Sequence, residues 1–247
     1  MSLQQDWFGE ARGALARLER EAQGEIAAAA ELTAVRLAAG GRLHHFDTGH
    51  TAREPVKRAG GLVGLHSIEV DYRLDHPLPP GREPKGLKQS YYYDSEELGR
   101  LVAERSHLSR GDVLWMVSNS GREAFPLALA LGAKAQGVSV VAVTCVAFSK
   151  AAEAKHPTGQ RLFEVADRVI DTRGPVGDAA VAVPRLGTPI APLSGLLNVA
   201  AVWALTAATI DALLARGVEP SIYRSVNLPD GFAWNDRAEA RYRQQGI

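Results

Sequence analysis

The strongest constraint on this chain is a set of short apolar runs separated by helical stretches. Val113-Leu114-Trp115-Met116-Val117 and the nearly pure Val/Ala run from Val138 to Cys145 carry no alternating polar face. A strand that is apolar on both sides has to be covered on both sides. Shorter strands are expected at Leu43–Phe46, Leu62–Ile68 and Arg168–Ile170, with helices at Asp94–His107 and Arg122–Gln136. Strands alternating with helices predict an α/β fold, a central parallel sheet between helical layers. In such sheets ligands bind beyond the C-terminal strand ends. That rule selects three loops, 47–51, 118–122 and 144–149.

The flanks complete one domain over 1–247. Residues 6–39 contain no proline, and Phe8, Ala11, Leu15, Leu18, Ala22, Ile26 and Ala29 recur at steps of three or four. They form one face of a long N-terminal helix that Gly40-Gly41 ends. The α/β core then covers 41–216, and a polar, aromatic tail covers 217–247. Short helices are expected near 52–59 and at Ser149–Lys155. Residues 75–90, with Pro77, Pro79, Pro80, Gly81, Pro84 and Gly86, predict an irregular excursion. Its Arg82, Lys85 and Lys88 either reach a neighbouring subunit's ligand or face solvent.

An apolar helix is expected over Ile190–Arg216. Within it, Ala191–Ile210 is uncharged and long enough to cross a membrane. Pro192, Ser194, Gly195 and Asn198, followed by Asp211 and Arg216, favour a helix buried between layers or subunits. This helix and the N-terminal one offer more nonpolar face than a small monomer hides, which predicts a homodimer or homotetramer.

Charge narrows the function. The 28 Lys+Arg balance 28 Asp+Glu. A sequence-independent nucleic-acid binder needs a basic excess, and so does a polybasic membrane binder. Neither partner is expected. The single cysteine, Cys145, excludes an intrachain disulfide and a cysteine zinc cluster. The N-terminus lacks a basic segment followed by an apolar run, so no signal peptide is read and the cytoplasm is the expected location.

Ser118-Asn119-Ser120-Gly121 follows the Val113–Val117 strand and precedes a helix expected to open at Arg122. Hydroxyls, a glycine and free helix N-terminal N–H groups make an anion site there, although Ser and Asn also cap helices. Thr48-Gly49-His50-Thr51 occupies the equivalent place after the first strand. His50 and Glu54 are four apart with Asp47 nearby, yet spacing fixes no third ligand, so no metal is expected. No Gly-x-Gly-x-x-Gly loop and no Walker lysine occur, so no organic cofactor is expected.

These features occur in a specific order. Gly49-His50-Thr51 comes first, then Ser118-Asn119-Ser120-Gly121-Arg122, then a strand ending in Thr144. His156-Pro157-Thr158-Gly159 and Asp167-Arg168-Val169-Ile170-Asp171 follow. The order resembles the sugar isomerase (SIS) domain family, and most closely its UPF0309 branch, similar to phosphoheptose isomerases. Matching stretches are His44–Gly64, Gly111–Gln136, Val140–Asp178 and, more weakly, Asn227–Asn235.

The resemblance implies a flavodoxin-like three-layer α/β sandwich that binds a phosphorylated sugar, with sites completed across subunits. By the same resemblance, Ser118, Asn119, Ser120 and the Gly121 backbone cradle the phosphate. Gly49, His50, Thr51, Arg122 and Thr144 line the same crevice. It also implies aldose–ketose isomerisation, in which a proton moves between C1 and C2 and needs an acid/base pair. Glu54 and His156 are the matching candidates, and His50 is a third. A phosphosugar sensor without catalysis, or an amino-sugar-phosphate lyase or etherase, are the alternatives. Two departures stand out. Asp47 replaces the usual first-loop glycine, and Glu123 brings a carboxylate beside the phosphate loop.

Overall fold

The computed structural model describes residues 2–51, 54–71, 79–82 and 93–247. Helix α1 runs from Leu3 to Ala38, opened by a capping box between Ser2 and Gln5. Five parallel strands form the central sheet: β1 Leu43–Asp47, β2 Leu65–Ser67, β3 Val113–Val117, β4 Ser139–Thr144 and β5 Arg168–Asp171. The helices among them are α2 Glu96–Arg105, α3 Ala124–Ala135, α4 Val146–Ala151 and α5 Leu162–Val165. The strand order is β2-β1-β3-β4-β5, the doubly wound order of flavodoxin. Connections leave β1 in opposite directions, so a crevice opens between the C-terminal ends of β1 and β3.

Strand alternation divides the core into two layers. Val113, Trp115, Val117, Val141 and Val143 face α1 and a long apolar helix, α6, Ser194–Leu214. Leu114, Met116, Val140 and Ala142 face α2, α3 and α5. Trp115 is fully buried and donates its indole N–H to Thr33 Oγ1 at 3.1 Å, which fastens α1 to the sheet. On the other side α2 meets α3 backbone to backbone. A Cβ added at Gly99 would sit 2.3 Å from the Phe125 carbonyl oxygen.

The two histidines of β1 face opposite layers. His44 Nε2 lies 3.0 Å from Asp112 Oδ2, and Asp112 also accepts from the Arg42 and Ser109 backbone N–H groups. His45 faces the α1/α6 layer, is 1% exposed, and neither ring nitrogen has a partner among the described residues.

Several sequence expectations change. Among the described residues 54–59 no helix forms. Residues 54–57 make a turn in which Lys57 has φ +54°, while 52 and 53 lie outside the described residues. The strand expected at Leu62–Ile68 contracts to β2, and Leu62 pairs antiparallel with Ile222 of the tail. The short helix expected at 149–155 starts earlier, at Val146.

Helix α6 begins at Ser194, because Ile190–Pro192 is β7, paired antiparallel with β6, Ala179–Val181. By length and composition α6 suffices to cross a membrane. It is instead a core helix, with Leu197, Ala201, Val202, Leu205 and Leu213 buried against α1 and the sheet. The tail forms α7, Gly231–Gln245, whose Tyr242 packs on His66 and Gly64. Lys85 and Lys88 of the proline-rich excursion lie outside the described residues.

Candidate functional site

The crevice at the β1/β3 switch point holds a cavity of about 380 Å³. Thr48 and His50 line it from the loop after β1, and Ser118 and Ser120 from the loop after β3. Tyr93 and Asp94, just before α2, Glu123 and Lys155 close the remaining wall. The side-chain hydroxyls of Ser118 and Ser120 have no partner among the described residues. They are therefore available to a ligand.

The Ser118–Gly121 loop is shaped by its neighbours. Gly121 sits at φ +57°, the left-handed region that favours glycine. An added Cβ there would come within 3.0 Å of Thr144 Oγ1 and 3.3 Å of Ser149 Oγ. The Gly121 carbonyl accepts from Leu162 N–H, and the Asn119 carbonyl accepts from both Cys145 N–H and Thr144 Oγ1. These bonds tie the loop to β4 and α5.

Two hydroxyls expected at the site are already engaged. Thr144 is fully buried and donates to Asn119. Thr51 donates both its backbone N–H, at 2.8 Å, and its hydroxyl, at 2.9 Å, to Asp47 Oδ2. Asp47 Oδ1 takes the His50 N–H at 2.9 Å. The Asp47 carboxylate thus closes the first loop upon itself, with Gly49 at its tip at φ +104°.

The acid/base candidates separate clearly. His50 lines the cavity. Glu54 does not; it pairs with Arg58 at 3.2 Å. His156 is 7% exposed, and its Nδ1 accepts from the Thr158 N–H at 3.2 Å. Its neighbour Lys155 is the residue that reaches the cavity. Lys155 Nζ meets Asp94 Oδ1 at 2.6 Å and Glu123 Oε2 at 2.9 Å. The bond to Asp94, reinforced by Glu123, pushes the Lys155 pKa up.

Arg122 holds the other side of Glu123 at 3.1 Å. The α3 helix opens at Ala124, not Arg122, so Glu123 stands at its N-cap. There its charge is matched by two cations. Cys145 is buried, and burial pushes its thiol pKa up, against a nucleophilic thiolate.

The domain model described as "SIS domain" matches residues 6–145. A UPF0309 protein of Streptomyces griseus is 34% identical over 97% of this chain and 94% of its own length. One from Shouchella clausii is 31% identical over 99% of this chain and 98% of its own. The chain belongs to the SIS-domain family. Among solved structures, a Silicibacter pomeroyi protein with the provisional name phosphosugar isomerase superposes with a TM-score of 0.52 at 17% identity. That match covers 81% of this chain and 48% of the other, so this SIS chain spans about half its length. It supports the fold.

Several residues of the site escaped sequence reasoning. Ser194, in the first turn of α6, lies 3.1 Å from His50 Nδ1. Asp178 holds Ser194 in turn. A gap of 144 residues separates His50 from Ser194, so only the fold brings them together. Lys155 was equally silent, since Asp94 reaches it across 61 residues.

Proposed function

We propose that this SIS domain binds a small phosphorylated sugar in the β1/β3 crevice and isomerises it between aldose and ketose forms. The observation that carries the reading is one cavity with two unengaged serine hydroxyls, Ser118 and Ser120, and an imidazole, His50. The serine loop offers donors to a phosphate, and Lys155 supplies a nearby positive charge. A volume of about 380 Å³ suits a sugar phosphate. His50 takes the proton from C2 of the open-chain sugar as O1 gains one from solvent, then returns it at C1 as O2 gives one up to solvent, the general-base role that isomerisation needs. The family assignment and the phosphosugar name carried by the structural relative support the same ligand class.

The test is incubation with a panel of sugar phosphates in heavy water, read as deuterium incorporation at C2. Ser120→Ala should lose binding, seen as loss of a thermal shift. A ligand at a hundred times its Kd adds about 2.7 kcal/mol, which such a shift resolves. His50→Gln should keep the shift and abolish exchange. A second reading, a sensor that binds without turnover, is favoured by one observation. Both carboxylates lining the cavity are tied to Lys155. Saturable binding with no exchange for any sugar phosphate would select it.

We also propose that a second copy of the chain covers the apolar groove between α1 and α6. Leu15, Leu18 and Ile26 form one wall, and Ala200, Ala204 and Ala208 the other. Their four-residue spacing on α6 leaves a smooth strip that admits a helix closely.

A further inference from the structure

We infer that Asp178 and Ser194 are positioning residues that set which nitrogen of His50 carries the proton. They hold Nδ1 protonated and leave the Nε2 lone pair as the base. The inference deepens the isomerase reading and rests on it for its catalytic consequence.

The geometry starts at Asp178, which occupies a left-handed backbone conformation at φ +74° just before β6. Its Oδ1 accepts two backbone N–H groups at the start of α6, from Ser194 at 2.7 Å and Leu193 at 3.2 Å. The carboxylate therefore sits at the positive end of the longest apolar helix in the core. Its Oδ2 accepts the Ser194 hydroxyl at 2.7 Å. A serine hydroxyl has one proton, and this bond uses it.

Ser194 Oγ can then only accept from His50 Nδ1, 3.1 Å away. A neutral imidazole that donates through Nδ1 has its lone pair on Nε2. Ser194 is 6% exposed, and in this chain of bonds it is a relay with its proton turned away from the imidazole. That direction excludes Ser194 as a nucleophile activated by His50, which would require the serine proton to point at the ring.

The first loop holds the other end. Asp47 takes the His50 backbone N–H, so the ring hangs from a braced segment. The His50 carbonyl lies beside Gly195, where an added Cβ would sit 3.7 Å from it. The base is thus held to α6 through its side chain and to its own loop through its main chain.

The test measures the tautomer directly, by long-range proton–nitrogen NMR of the histidine rings, with His50 assigned by difference from His50→Gln. In the wild type Nδ1 should be protonated and Nε2 bare. Asp178→Asn keeps an oxygen for the two backbone N–H groups and places an amide donor against Ser194. The serine proton must then turn to His50 Nδ1, and the ring should switch to the Nε2–H form. Ser194→Ala should leave the two forms mixed, and Ser194→Thr should restore the wild-type form.

A wild-type ring bearing its proton on Nε2 overturns the inference, whatever the variants do. So does an unchanged ring in a folded Asp178→Asn protein. Neither readout needs a substrate, so both stand apart from the isomerase reading. If exchange at C2 is found, Asp178→Asn should lower kcat by roughly a hundredfold or more with KM nearly unchanged. Equal losses in both would overturn the positioning role.

Discussion

His45 makes the stability of this protein depend on pH in a calculable way. The ring is buried in the α1/α6 layer with no partner at either nitrogen among the described residues. Burial lowers its pKa from 6.5 to about 4, against a smaller upward pull from Asp47. Between those values the unfolded chain takes a proton at His45 that the folded chain refuses. Stability is therefore lost as the pH falls from 6.5 towards 4, and the loss levels off below that. At 1.36 kcal/mol per pH unit the full effect is about 3 kcal/mol, of which about 2 kcal/mol is reached at pH 5.

His45→Leu should remove this dependence while leaving every other titrating group in place. Urea unfolding of both proteins at pH 7 and pH 5 gives the double difference. The variant should be the more stable at pH 7 by about 1 kcal/mol, since two unpartnered polar atoms disappear. Its lead should widen by about 2 kcal/mol at pH 5, a midpoint change of roughly 1 M. Parallel losses in the two proteins between pH 7 and pH 5 would refute the reasoning.

Three further outcomes follow from contacts described above. Gly99→Ala drives a methyl into the Phe125 carbonyl and should cost a net of about 1–2 kcal/mol in thermal unfolding, even after its gain in helix propensity. An unchanged melting point would show that α2 and α3 separate freely. Lys155→Met leaves Asp94 and Glu123 facing the cavity without their shared cation, so sugar-phosphate affinity should fall about tenfold or more. Calorimetric titration reads it, and tighter binding would contradict a phosphate nearby. Ala204→Glu places a charge in the α1/α6 groove and should convert an oligomer to a monomer in light scattering. A wild-type monomer would end that proposal.

The sheet was legible because β3 and β4 are apolar on every face, which only burial between two layers explains. The same logic located the loops after β1 and β3, since a switch point follows from strand order. What stayed hidden was direction. A hydroxyl in a loop looks alike whether it faces a ligand or the protein. Thr51 and Thr144 turned inward, to Asp47 and Asn119, while Ser118 and Ser120 turned outward.

The β6–β7 hairpin was invisible because three-residue strands leave no periodicity. The helix expected at 52–59 gave way to a turn containing Pro55, and Glu54 left the site with it. Ser194 read only as a polar residue within the helix expected over 190–216, and Asp178 carried no signal of a contact with it. Their bond to His50 is a product of tertiary packing.

Asp47 gives the first loop a resident anion. Its carboxylate already occupies the N–H groups of His50 and Thr51 and the Thr51 hydroxyl, as a bound phosphate oxygen would. A crevice with two equivalent loops is thereby left with one vacant cradle. If the proposed phosphate site is right, monophosphates should bind this crevice more tightly than bisphosphates, because a second phosphoryl group would meet the Asp47 carboxylate with like charge.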